Sequence, residues 1–118
     1  MLKAGVSDDF KGATTLLLWG DAEGMTLLGN GLDALRTESS ASFSIDGPAG
    51  GITIVQGDGS MLTDHAGALC WRCSPETVDM VGDLTRALIG RAGHQFMDVS
   101  GLAEQVIIAR DEYPANLP

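Results

Sequence analysis

The sequence predicts an α+β domain in which two β-α-β-β halves form a single mixed, mostly antiparallel six-stranded sheet with two helices on one face. Three observations lead there. The stretch from Leu16 to Gln56 recurs 53 positions later, so that Asp21 falls on Ser74, Glu23 on Glu76, Met25 on Val78, Leu28 on Val81, Gly29 on Gly82, Ala34 on Ala87 and Leu35 on Leu88. Further on, Phe43 falls on Phe96, Ile54 on Ile107 and Val55 on Ile108, while Trp19 and Trp71 match at a shift of 52. One residue is therefore expected as an insertion just before the second helix. Secondly, strand-like runs bounded by turn residues alternate with two segments of helical periodicity. Thirdly, two amphipathic helices need a common apolar surface, and a shared sheet supplies it. The domain is expected to span 1–118, duplicated as 13–56 and 68–110, with an inter-half loop at 57–67 and a C-terminal tail at 111–118.

Residues 1–12 read as a polar, glycine-containing lead-in, partly mobile as chain ends usually are. Ala13 to Trp19 is the first strand, because Thr14 and Thr15 precede three consecutive leucines, and a continuous apolar run fits a strand buried on both faces. Asp21 then serves as helix cap, with Glu23 in the first turn where the helix dipole favours acid. Met25, Leu28, Leu32 and Leu35 recur at helical spacing, with Leu27 and Ala34 beside them. Gly24, Gly29 and Gly31 each weaken that helix by up to about 1 kcal/mol. A close approach of the two helices at Gly29 and Gly82 is the expected compensation.

Ser42 to Asp46 alternates polar and apolar as a half-buried strand does, and Gly47-Pro48-Ala49-Gly50-Gly51 turns the chain into its hairpin partner, Ile52 to Gln56. Residues 57–67 are the least regular stretch. Ala68 to Cys73 opens the second copy. Ser74-Pro75-Glu76 combines a capping hydroxyl, proline at the first helical position and an acid in the first turn. Val78, Val81, Thr85 and Leu88 form the apolar face, with Met80 and Leu84 alongside, and Gly90 is the expected stop. His94 to Val99 and Gln105 to Ala109 complete a second hairpin, and the tail, with two prolines, forms no regular element.

The chain of 118 residues carries a formal net charge of −9, from 16 acidic and 7 basic side chains. Nucleic-acid binding needs clustered cations to neutralise phosphates. Here Lys3, Lys11, Arg36, Arg72, Arg86, Arg91 and Arg110 are scattered singly, which argues against nucleic acid and anionic membrane alike. An acidic balance suits solubility or a basic partner. No apolar h-region precedes Asp8 and Asp9, no run approaches membrane-spanning length, and only two cysteines occur. A cytoplasmic protein with reduced thiols is the default expectation.

Candidate chemistry is sparse. Cys70-Trp71-Arg72-Cys73 has the Cys-x-x-Cys spacing of thioredoxin-like redox centres, but Ser74-Pro75 starts the helix after both thiols rather than between them. A buried structural cysteine is the stronger reading. A zinc site would need two further ligands, and His65 and His94 stand in no paired spacing. Asp58, Asp64 and His65 can hold a cation or act in acid–base chemistry, yet match no calcium-loop pattern and are ordinary loop residues. Gly20-Asp21-Ala22-Glu23-Gly24 lacks the ending of a phosphate loop, and its acids would repel phosphate. Glu76, Asp79 and Asp83 form an acidic stripe on the second helix, a solvated face or one offered to a basic protein. If Leu17 and Trp19 point away from the helices, the far face of the sheet needs a cover, for which a second copy of the chain is the simplest candidate.

The pattern of apolar strand, Gly20-Asp21, Glu23-Gly24 and an amphipathic helix ending in Ala34-Leu35 resembles small bacterial proteins grouped with the immunity proteins of contact-dependent and polymorphic toxin systems. The resemblance is confined to the first half, and Ser74-Pro75 departs from it in the second. It implies a cytoplasmic inhibitor that acts by binding, with no catalytic residues to carry over. With no coherent nucleophile, base or metal set, the expected function is association, as a homodimer or with a protein partner, and no cofactor. The alternative is a small-ligand protein or enzyme whose site lies between the halves and uses Asp21, His65 or His94.

Overall fold

The computed structural model describes residues 1–10, 12–38 and 40–114; Lys11, Ser39 and the last four residues of the expected tail lie outside the described residues. Eight strands and two helices follow the order β1 (Leu2–Phe10), β2 (Ala13–Gly20), α1 (Ala22–Thr37), β3 (Ser42–Ile45), β4 (Ile52–Gln56), β5 (Met61–His65), β6 (Ala68–Cys73), α2 (Pro75–Arg86), β7 (Gly93–Asp98) and β8 (Gln105–Arg110). They form two separate four-stranded sheets, ordered β1-β2-β8-β7 and β3-β4-β6-β5, rather than one sheet of six. The prediction of a single sheet fails because two strands were missed. Polar β1, with Ser7, Asp8 and Asp9, has the sequence of a lead-in, and β5 occupies the middle of the expected inter-half loop. Intrinsic preference argues against both; hairpin pairing with β2 and with β6 overrides it.

Each half is thus β-β-α-β-β, and the halves interleave. β2 pairs in parallel with β8, and β4 in parallel with β6. Strands occupying the same place in their halves take corresponding places in the two sheets. Each helix carries the chain from one sheet to the other.

The helices start where their caps dictate. The Asp21 carboxylate accepts the Gly24 N–H at 2.8 Å, and the Ser74 hydroxyl accepts the Thr77 N–H at 3.2 Å. Helix α2 ends at Arg86, short of Gly90. The inward stripes correspond residue for residue: Met25, Leu28, Leu32 and Leu35 of the first half, and Val78, Val81, Thr85 and Leu88 of the second, are all buried. They meet Leu16, Leu18, Val106 and Ile108 of one sheet and Ile52, Ile54, Leu62 and Trp71 of the other in one core.

Within the sheets the correspondence is finer than the sequence shows. Ile54 and Trp71 are register partners facing this core, and so are Ile108 and Leu18. Leu18, not Trp19, therefore stands where Trp71 stands, at a shift of 53. Ile54 corresponds to Ile108 and inward Phe43 to inward Met97, at a shift of 54. The extra residue lies between Leu88 and Met97, after the second helix rather than before it. A one-residue slip exchanges the two faces of a strand, so the tryptophans and the phenylalanines that align by eye point to opposite sides.

Trp19 accordingly faces away from the helices with Leu17, Ile107 and Ala109, but this outer face does not wait for a second copy. Met1, Phe10 and Tyr113 pack on it, the Trp19 indole N–H donates to the Pro114 carbonyl at 2.9 Å, and Trp19 is 2% exposed. The outer face of the other sheet is polar: Ser44, Thr53, Cys70 and Thr63 form one cross-strand row.

The two sheets also meet along two seams. At one, the Ala4 N–H of β1 donates to the Asp46 carbonyl at 2.8 Å; at the other, the Leu62 N–H of β5 donates to the Ser100 carbonyl at 3.0 Å, and Leu102 donates back to the Leu62 carbonyl at 3.1 Å. Gly47 and Gly101 follow those two acceptors, and a Cβ on either would strike the Ala4 or Leu62 carbonyl oxygen. Pro48 takes the place of Leu102 at the first seam and has no N–H to return.

Candidate functional site

The polar residues singled out in the sequence are spread over the surface rather than gathered. Asp21 is a helix cap, and its carboxylate also takes the Met1 amine at 2.9 Å. That hydrogen bond, followed by the one from Gly24, holds its carboxyl below the usual carboxylate value. Glu23 and Glu76 stand exposed in the first turns of α1 and α2. Asp79 accepts from Arg36 at 2.8 Å, which ties α2 to α1, and Asp83 accepts from Arg86 at 2.7 Å. The Asp83 hydrogen bond leads the causes that raise the Arg86 guanidinium above its ordinary pKa.

Asp58 lies exposed before β5. The Asp64 carboxylate closes the β5–β6 turn by accepting the Gly67 N–H at 2.8 Å, and exposed His65 ends β5 beside it. His94, on β7, places Nδ1 2.9 Å from Glu112. Among the described residues, no group of three or more His, Cys, Asp or Glu side chains is placed to hold a metal ion.

Cys70 and Cys73 sit three apart on β6 and so face opposite sides of the sheet. Cys73 is in the core, where burial, with a smaller contribution from Cys70, pushes its thiol up to about 12. Protonated at neutral pH, it is a poor nucleophile.

Four concavities stand out among the described residues, each with few convergent groups. One, about 310 Å³, lies between Asp8, Ala49 and the β5–β6 turn. Another, about 280 Å³, joins Arg91, His94, Gln95 and Glu112. The small cavity beside Leu17 and Trp19 is about 40 Å³ and mainly apolar. Of the three residues expected as alternatives for a ligand site, Asp21 and His65 line none of these four, and His94 lines the one with Arg91, Gln95 and Glu112.

Sequence reasoning missed two features. A hydroxyl cluster caps α2: Ser60 Oγ stands 2.7 Å from Thr77 Oγ1, and the Ser74 N–H donates to Ser60 Oγ at 3.0 Å. Large apolar side chains also stay in solvent at structured positions, with Leu27 49%, Met80 50% and Phe96 66% exposed. Leu27 and Met80 carry a legible signal, since they fall outside the buried stripe at the same place in both helices, 53 residues apart. Each lies four residues after an exposed glutamate, Glu23 or Glu76, and so on the same face of its helix. No family model matches the chain, and neither a curated protein nor a solved structure matches it significantly.

Proposed function

We propose that the protein works by binding another protein through the outward faces of its two helices, and that the partner's contact surface is basic. The observation that carries this reading is the matched pair Leu27 and Met80, half exposed and each one turn beyond a solvent-facing glutamate. Apolar side chains ringed by charge are the usual make-up of a recognition surface, whereas an enzyme needs acids and bases that converge on a pocket. Asp33, Asp79 and Asp83 lie on the helices as well, paired there with Arg36 and Arg86, and the net charge of −9 steers a cation-rich partner towards the protein. Inhibition of a basic enzyme, the role implied by the resemblance to immunity proteins, is one form of this reading.

The test is capture by the tagged protein beside a Leu27→Lys/Met80→Lys variant, which removes both apolar anchors and reverses the local charge. A basic partner whose affinity falls at least about 30-fold in the variant supports the reading. A partner bound equally well by both proteins overturns it.

A further inference from the structure

Of the outer strands of the two sheets, β7 is regular and has no bonded neighbour on its outer edge among the described residues. β5 is closed at its seam by Ser100 to Leu102, while β1 is tied to Asp46 at Ala4 and loses its regular register beyond Ser7. β3 is only four residues long. β7 runs six residues, pairs on one side with β8, and carries no lysine or proline, the residues that usually guard an exposed edge. Its direction of bonding follows from the residue after it: the Val99 N–H donates to the Glu104 carbonyl, in the same antiparallel register as β7 with β8. Backbone groups alternate sides in such a ladder, so Gln95 and Met97 bond towards β8, and the N–H and C=O groups of His94, Phe96 and Asp98 point out across the free edge.

We infer that β7 is a homodimer interface, in which β7 of a second copy of this chain pairs with it antiparallel, centred on Phe96. The occupant follows from the self-complementarity of the strand. Antiparallel pairing about Phe96 sets Phe96 against its own copy and His94 against Asp98 of the other copy, on both sides of the axis. All three side chains lie on the outward face of the sheet, and all are exposed. The His94 ring has one nitrogen, Nδ1, turned to Glu112 and leaves Nε2 for the incoming carboxylate. Asp98 has no hydrogen-bond or ion-pair partner among the described residues. An aromatic pair flanked by two histidine–aspartate hydrogen-bonding pairs is a favourable cross-strand arrangement. A shift by two residues in either direction would break these pairs, so the strand also specifies its register. The two four-stranded sheets would become one continuous sheet of eight, with the helix faces left free on the same side of each copy.

This interface is separate from the helix face proposed above, and the tests keep them apart. Light scattering across a concentration series is expected to show a dimer. Hydrogen exchange is expected to show the amides of His94, Phe96 and Asp98 becoming protected as the dimer forms, with those of Gln95 and Met97 unchanged. Phe96→Asp, at an exposed position, sets like charges on the axis and should raise the dimer dissociation constant at least about tenfold while the circular dichroism spectrum stays that of the folded protein. Phe96→Cys in a Cys70→Ser background should give a disulfide-linked dimer on oxidation, since facing residues of a bonded antiparallel pair stand within disulfide reach. A monomer at every concentration, a dimer unaffected by Phe96→Asp, or protection confined to other strands overturns the inference. Retention of a basic partner by Phe96→Asp leaves the helix-face reading standing, whatever becomes of the dimer.

Discussion

Asp33 of α1 and Arg86 of α2 occupy corresponding positions in the two halves, and the Arg86 guanidinium reaches the Asp33 carboxylate at 3.3 Å. The helices pack side by side, so this contact spans the line about which the halves are related. The same residue at both places would set like charges, or two neutral groups, against each other. Opposite residues turn the meeting point into an attraction. Both side chains are largely exposed, so the pair adds little stability; it and the Arg36–Asp79 pair orient the helices.

Two glycines of α1 are expected to respond in opposite ways to alanine. Gly29 does not serve helix approach as expected, because a Cβ there meets no atom within 4 Å. At Gly82 the nearest atoms belong to Arg86 of the same helix. Gly29→Ala should therefore stabilise the fold by about 0.5–1 kcal/mol. At Gly31 the new Cβ would lie 2.5 Å from the Phe43 ring, and the overpacking should cost about 1–3 kcal/mol, more than helix propensity returns. Urea denaturation of both variants checks the difference in sign.

The seam glycines are expected to be intolerant. Gly101→Ala meets both a left-handed backbone, φ +107°, and the Leu62 carbonyl oxygen 2.2 Å from the added Cβ. A loss of about 2–4 kcal/mol is expected, together with faster exchange of the Leu62 and Leu102 amides. Gly51, also at positive φ in the β3–β4 turn, should behave similarly, whereas Gly59→Ala has open space and only backbone strain to meet.

The two tryptophans should separate in a phenylalanine scan. The Trp71 indole nitrogen is buried in the core without a hydrogen-bond partner among the described residues, so Trp71→Phe removes no bond and relieves an unsatisfied donor. The Trp19 nitrogen holds Pro114, and Trp19→Phe leaves that carbonyl without its donor. Thermal unfolding should drop less for the first than for the second. In addition, Trp19→Phe should raise the proteolytic susceptibility of the segment around Tyr113 and Pro114.

The cap at α1 predicts an acid-sensitive contribution. The folded-state pKa of Asp21 is depressed, so its stabilisation is present above the ordinary carboxylate value of 3.8 and is lost as pH falls through the lower folded value. Stability measured from pH 6 down to pH 2 should fall less steeply in Asp21→Asn, which keeps the cap oxygen and cannot titrate. Equal slopes for the two proteins would show that other carboxylates govern acid unfolding.

What the sequence made legible, and what it hid, follows from range. Caps and helical stripes depend on residues three or four apart, and Asp21, Ser74 and the buried positions of both helices are correctly read from them. The β3–β4 and β7–β8 hairpins are likewise local. The β1–β2 and β5–β6 hairpins are just as local, but Ser7, Asp8, Thr63 and Asp64 carry no strand pattern of their own and enter strands only through the bonds that β2 and β6 supply. Sheet membership depends on the most distant pairing of all, β2 with β8. The exposure of Phe96 turns on a single extra residue after α2, too small a change for aligned residue types to reveal. The candidate residues failed to converge for a related reason: Asp21, His65 and His94 belong to different sheets and turns, and nothing local brings them together.

The interleaving of the strands also sets an order of events for a chain leaving the ribosome. All four strands of the β3-β4-β6-β5 sheet lie between Ser42 and Cys73, so that sheet can close soon after Cys73 emerges. β2 is made early, yet its inner neighbour is β8, and its apolar outer face is capped by Tyr113. Outward Leu17 and Trp19, and the edge of β2 that faces β8, must therefore wait uncovered through most of synthesis. The run from Leu16 to Trp19 that carries them is where a chaperone would bind the unfinished chain, and truncation before β8 should convert the protein into a chaperone client.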